Sequence, residues 1–358
     1  AVILPNLLGI LGLVTVATGC IGSLLVLLLF EESLLFCVLL VTNLVVLCNL
    51  WMVIIFLSGM KAYNRILLTL LVGYAVMIGC GFVLRDFNLE GLLLALLIGH
   101  ASLVFMFLFE ILREYPSDRL IGFDFLDGKQ VFISLLFTGF AYNAGVWIDK
   151  FLFWFNPATS QQVIGPLRMS LIYDLPIFLA YLAVIPGMAV FLVRIETDFV
   201  EYYNKFYEAV REGATLEYIE RMRNHLVYYA QRGLFDIAKI QTISVFVLFV
   251  IGESLLTWLG ISTLYLPLLF VDVVGAGLQV VLLGILNVLF YLDQRRTVVR
   301  LTFMFLACNI VFTAITLQLG AAWFGYGFAL AMLVTVLTGI WSLTRKLEAL
   351  EYETFMMQ

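Results

Sequence analysis

Long, uniformly apolar runs separated by short polar joins make up most of the chain. A bilayer crossing needs about 20 mostly apolar residues. Runs of that kind lie at roughly 6–30, 34–60, 66–84, 89–109, 131–155, 171–193, 242–261, 264–292, 297–319 and 321–343, about ten in all. Membrane barrels show segments of ~10 residues that alternate with period two. These runs are longer and apolar on every side, so they predict helices that satisfy their own backbone within the membrane.

Two stretches depart from this pattern. Residues 110–130 (EILREYPSDRLIGFDFLDGKQ) carry charges and Pro116, and read as a cytoplasmic linker between a lobe over 1–109 and a lobe over 131–345. Residues 196–241 read as a cytoplasmic insertion in the second lobe, and 346–358 as a cytoplasmic tail. Within the insertion, Asp198 followed by Glu201 resembles a capping box that opens a helix. Phe199, Tyr202, Tyr203, Phe206, Tyr207 and Val210 then recur at helical spacing, and Gly213 ends the run. A second helix is expected over 215–232, giving a helical hairpin with an aromatic face. Eight acidic and six basic residues in 196–241 argue against an electrostatic anchor on anionic lipid. The face either packs on itself and the neighbouring loops or docks a cytoplasmic partner.

Composition excludes whole classes. Apolar residues are 63% of the 358 and charged residues 13%, against about 45–50% and 25% for soluble domains. No soluble fold hides that much apolar surface, so soluble enzymes, nucleic-acid binders and disordered scaffolds are out. The five cysteines (Cys20, Cys37, Cys48, Cys80, Cys308) all lie in apolar runs without a CxxC pair, so neither a disulfide framework nor a zinc site is expected. The chain opens Ala1-Val2-Ile3, and a longer N-terminus is expected before it.

Lys and Arg set the orientation. Alternate connections carry nine (Lys61, Arg65, Arg113, Arg119, Lys129, Arg295, Arg296, Arg345, Lys346) against three on the other side (Arg85, Lys150, Arg168). The richer side is expected to face the cytoplasm.

Ionisable groups inside a span are costly and mark function by default. The fifth span carries Tyr142, Asn143, Trp147, Asp149 and Lys150; Asp174 lies near the start of the sixth, Glu253 in the seventh, and Asp272 with Gln279 on one face of the eighth. With Arg168, these residues are expected to line a hydrophilic outward cavity that could bond hydroxyl-rich substrates, bind a cation or relay protons. The competing reading is interhelical ion pairing, for instance Asp149 with Arg168. Two cations cannot neutralise four acids, which favours the cavity. His100 reads as a helix–helix hydrogen bond. Pro176, Pro186-Gly187 and Pro267 are candidate gating bends. No Walker A, HExxH or GxSxG sequence occurs, and two histidines cannot build a multi-histidine metal site. No catalytic residue, metal or cofactor is expected.

Three strings resemble a known family: IDKFLFWFNP at 148–157, MAVFLVRIETDFVEYYNKFYEAVREGATLEYI at 188–219, and RKLEALEYETFMMQ at 345–358. Together they are similar to the PelG exporters of Pel exopolysaccharide systems, in the polysaccharide-transporter branch of the MOP flippase superfamily. The resemblance implies an all-α, two-lobe polytopic bundle of twelve spans, of which about ten are seen here. It implies export of an N-acetylgalactosamine-rich polymer from cytoplasm to periplasm for a biofilm matrix. The partners it implies are the glycosyltransferase PelF, the cyclic-di-GMP receptor PelD and the tetratricopeptide protein PelE, with the 196–241 hairpin as a docking surface. It supplies no catalytic motif. The rivals are an ion-coupled antiporter of small cations, a non-transporting scaffold for a glycosyltransferase, and an integral-membrane glycosyltransferase.

Overall fold

The computed structural model describes residues 3–59, 63–115, 117–126 and 132–350. Lys61, Pro116, Lys129 and the tail segment 351–358 lie outside the described residues. The chain divides into two units, residues 1–131 with 163–167, and residues 132–162 with 168–358.

The first unit holds α1 (Ile3–Leu29), α2 (Leu34–Gly59), α3 (Tyr63–Leu84) and α4 (Asn88–Glu114). Small residues set the close approaches. A Cβ on Gly19 would meet Val45, and Asn49 donates to Thr15 Oγ1 at 2.9 Å, so α1 and α2 run antiparallel. Gly73 lies against Leu103 and Gly99 against Met77, so α3 and α4 form a second antiparallel pair. A 3-10 turn, Arg85–Phe87, joins them. Asn43 ties α2 to α4 by donating to Leu93 O at 3.0 Å. His100 contacts Leu96 O of its own helix at 2.9 Å and meets Tyr74 of α3 edge-on.

Helix α4 continues through Glu114, so residues 110–114 are helix rather than linker. Arg65 pairs there with Glu110 (3.0 Å) and Glu114 (3.4 Å). The described part of the following segment folds back on the start of α1. Gly122 N donates to Pro5 O (2.8 Å) and Asp124 N to Asn6 Oδ1 (2.9 Å).

The second unit holds α5 (Ile133–Phe155), α6 (Leu171–Leu182), α7 (Ile185–Val193), α8 (Val200–Arg211), α9 (Leu216–Trp258), α10 (Leu266–Tyr291), α11 (Arg295–Leu319) and α12 (Tyr326–Glu348). A two-stranded hairpin, β1 (Gln161–Ile164) and β2 (Leu167–Met169), precedes α6. Its turn is Gly165-Pro166, with Gly165 at φ +52°.

The insertion is not a separate body. Helix α9 runs unbroken for 43 residues, so the helix expected over 215–232 and the span expected at 242–261 are one element. At 1.5 Å per residue it is about 65 Å long, twice the ~30 Å hydrocarbon core, and its polar half extends beyond the membrane. On the other arm, a π-helical segment, Arg194–Phe199, joins α7 to α8 without a break. The capping box expected at Asp198 therefore does not form, because no helix starts there. Asp198 accepts from Arg194 at 2.8 Å instead.

Of the expected bends, one breaks a helix. Pro186 has no N–H to give Leu182 O, and α6 ends at Leu182. The gap is sealed by Gln241 of α9, whose Nε2 donates to Ala183 O at 3.0 Å. Gln241 fits because Gly187 and Gly277 have no Cβ; a Cβ there would lie 2.2 Å from its Oε1 and 3.0 Å from its Cγ. Pro176 sits inside α6, which continues past it. Pro267 lies in the first turn of α10, where its missing N–H costs nothing, so it bends no helix.

Among the described residues, eight stretches are long and apolar enough to cross a membrane, against the ten runs expected. One of the eight, Arg65–Glu114, contains both α3 and α4. Helix α5 falls outside the eight, and it carries Asn143, Asp149 and Lys150.

Candidate functional site

The polar groups of the second unit sort into three places. The innermost is a charged knot between α5, α6, α10 and α12. Asp149 has no exposed surface. It is 3.2 Å from Lys150 Nζ and accepts from Tyr173 Oη at 2.5 Å. Lys150 also donates to Val146 O at 2.8 Å. Its ammonium lies among the rings of Tyr181 (5.2 Å), Phe328 (5.7 Å) and Trp147 (5.9 Å), a cage that favours a desolvated cation. Phe153 stacks on Tyr173 at 3.9 Å and seals one side.

Asp272 of α10 is the electrostatic neighbour of Asp149 and Lys150. It too has no exposed surface, and neither carboxylate oxygen has a hydrogen-bond partner. Gly325 keeps its approach open, since a Cβ there would lie 2.8 Å from Asp272 Oδ1. Seven residues along each helix, Gln279 Nε2 donates to Tyr142 Oη at 3.3 Å. Helices α5 and α10 therefore face each other in opposite directions with two polar rungs, Tyr142–Gln279 and Asp149–Asp272, about 10 Å apart at 1.5 Å per residue.

The expectation of an open, water-lined wall is corrected here for Asp149, Lys150 and Asp272. They lie within packed helices, because aromatic rings from α6 and α12 cover them. The pairing is also different from the one named beforehand. Asp149 takes its neighbour Lys150, while Arg168 is exposed on β2 and donates to Ser160 Oγ at 3.1 Å. Asp174 is committed to structure, accepting from Trp154 Nε1 and from Ser170 N, both at 2.9 Å, at the start of α6. Glu253 sits apart, exposed on α9.

The second place is the exposed face of α5. Asn143, Trp147 and Phe151 follow at four-residue spacing and are all exposed. Trp147, Phe151 and the half-buried Trp154 form a ridge of contacting rings, with centroids 5.3–6.4 Å apart. Trp154 and Tyr173 were not singled out in the sequence. The one signal was the position of Trp154, seven residues after Trp147 and so on the same helical face.

The third is the hairpin of α8 and the first half of α9. Phe199 and Phe206 are wholly buried, Tyr202 stacks on Tyr229 (4.2 Å) and His225 (5.3 Å), and Tyr203 contacts Tyr207 and Tyr291. The aromatic face is turned inward. Of the five aromatic residues expected to dock a partner, Tyr202, Tyr203 and Tyr207 keep half-buried edges.

No group of three or more metal-ligating side chains occurs among the described residues. Long apolar helices, buried charge between them and an unpartnered carboxylate at membrane depth define a multi-pass membrane protein of transporter type. The matching family is of that type: residues 1–355 fit "PelG: Putative exopolysaccharide Exporter (EPS-E)", and the chain belongs to this family, one of exporters rather than enzymes. No match emerged among curated proteins or solved structures.

Proposed function

We propose that this chain carries the Pel exopolysaccharide, a polymer rich in N-acetylgalactosamine, across the bacterial inner membrane from cytoplasm to periplasm to feed a biofilm matrix. The observation that carries the reading is the family match across 1–355 on a chain of membrane-crossing helices. The excess of Lys and Arg on alternate connections supports the orientation of the chain in that membrane. The α5 ridge supports a sugar pathway, since aromatic faces suit the apolar faces of sugar rings and Asn143 adds hydrogen bonding. The Asp149–Lys150–Asp272 knot and the Tyr142–Gln279 rung lie behind that ridge as polar groups that a change in helix packing would open. The hairpin edges of Tyr202, Tyr203 and Tyr207 are the proposed contact for the glycosyltransferase PelF or the cyclic-di-GMP receptor PelD, with PelE in the same assembly.

The test measures secreted polymer from cells whose only copy carries Trp147→Ala or Asp272→Asn, alongside the amount of protein in the membrane. Both changes are expected to lower secretion at normal protein level, with Trp147→Phe retaining most of it. Normal secretion in both would remove the pathway role. Normal secretion from cells lacking the chain altogether would remove the exporter role.

A second reading has its own observation. The unpartnered, buried Asp272 is the kind of group that takes up a proton or a cation, which favours ion-coupled transport. Export that continues after an uncoupler collapses the ion gradients would count against it.

A further inference from the structure

The membrane half of α9 is the barest of the membrane-crossing stretches among the described residues. In an 18-residue apolar window of α9, 11% of the residues are buried, against 61% for the stretch that holds α10. Thr242, Phe246, Val250, Glu253 and Thr257 follow along it at three- or four-residue spacing, all exposed, and so form one face. Glu253 puts a carboxylate on that face. It lies five residues before Trp258, which is 82% exposed and marks the headgroup level. At 1.5 Å per residue, Glu253 is therefore about 8 Å deeper in the membrane than that level. Among the described residues no side chain meets its carboxylate, and Thr257 bonds only its backbone oxygen, at 2.9 Å. A charge facing hydrocarbon is costly, and such groups are met by partners. A lipid tail offers it nothing, whereas a cation on a neighbouring helix would.

The same face has a seat for such a helix. Thr242 lines a groove of about 270 Å³ between α9 and α10, together with the small residues Ala238 and Gly277. Residues that small let a second helix approach closely. Thr242 and Glu253 are eleven residues apart, about 16 Å along the axis, so one helix lying on α9 would reach both. A second copy of this chain fits poorly. A two-fold axis along the membrane normal would bring both Glu253 carboxylates to one depth, like charge against like. We propose that this face of α9 docks a transmembrane helix of another membrane protein, one that carries Lys or Arg at the depth of Glu253. It is separate from the hairpin edges of Tyr202, Tyr203 and Tyr207, which belong to the polar insertion.

The experiment uses the full chain in the cells that normally make it. Val250 is replaced by the photo-reactive residue benzoylphenylalanine, and Leu337, exposed on α12, is replaced likewise as a control. After irradiation the adduct is purified and the cross-linked peptide is sequenced by mass spectrometry. Val250 is expected to give an adduct to an apolar helix of another membrane protein, with Lys or Arg within a turn of the cross-linked residue. Leu337 is expected not to give that adduct. Glu253→Lys is expected to lower the yield about tenfold at an unchanged amount of protein in the membrane, which corresponds to about 1.4 kcal/mol. Changing the partner's basic residue to Glu is then expected to restore it. Thr242→Trp, which fills the groove, is expected to lower the yield as well. No adduct at Val250, adducts only to lipid or to a second copy, an adduct helix without a basic residue at that depth, or the same adduct from Leu337 would overturn the inference. So would an unaltered yield in either variant. If Glu253→Lys does not reach the membrane, Glu253→Gln decides by the same yield, since it removes the charge and keeps the shape.

Discussion

Lys150→Met removes the one cation that Asp149 touches among the described residues. Methionine matches the length of the lysine stem and keeps the apolar contacts with Tyr181 and Phe328, so the change isolates the charge. Asp149 would remain buried, holding one hydrogen bond from Tyr173, with the second unpaired carboxylate of Asp272 nearby. Breaking a buried ion pair from one side costs about 3–5 kcal/mol, whereas replacing both partners by neutral groups of similar shape is often neutral. The double variant Asp149→Asn/Lys150→Met should therefore recover most of what the single variant loses. Both Asp149 and Lys150 are buried, so solvent screening does not reduce the figure. The assay is reversible unfolding by titrated anionic detergent in mixed micelles, followed by tryptophan fluorescence, on all four members of the cycle. A coupling of at least about 2 kcal/mol is expected. If Lys150→Met is as stable as the unaltered chain, or the two changes add without coupling, the knot is not a desolvated ion pair.

Asn309→Ala should cost about 0.5–1.5 kcal/mol in the same assay, because it removes the bond that Asn309 Nδ2 donates to Gly145 O at 2.8 Å between α5 and α11. Gly327→Ala should destabilise by about 1–3 kcal/mol or more, since the new Cβ would lie 2.5 Å from the backbone of Thr313; equal stability would mean α11 and α12 are not that close. Phe206→Ala, in a fully buried position, should cost about 3–5 kcal/mol and open the α8–α9 hairpin to protease. Deleting residues 198–232 should abolish co-purification of a cytoplasmic partner; retained co-purification would move the docking surface elsewhere.

Reading the chain as a run of membrane helices needed only its one-dimensional pattern. Length and apolarity are local properties, and a backbone in hydrocarbon has almost no choice but helix. Helices α1 and α2 occur where the runs at 6–30 and 34–60 predicted them. The missing N–H predicts a bend at Pro186-Gly187, but not that the helix ends at Leu182 there and runs on past Pro176.

The partners of the polar groups were not legible. A span that is apolar on all sides has no stripe to say which face points inward, so helix rotation and register decide who meets whom. That is why Asp149 pairs with Lys150 and Tyr173, Arg168 stays on the surface, and Glu253 is separated from Asp272 although all are polar residues at or near the membrane. Gly187 reads as part of a gating bend in the sequence, and with Gly277 it is instead the room that Gln241 needs to cap a broken helix. The α8–α9 hairpin was visible as a pattern of aromatics, but whether that face looks inward or outward depends on the stacking of Tyr202 on Tyr229 across two helices. Apolar length therefore decided what crosses the membrane, and packing between helices decided which charges are buried, because desolvation depends on neighbours that the linear order does not name.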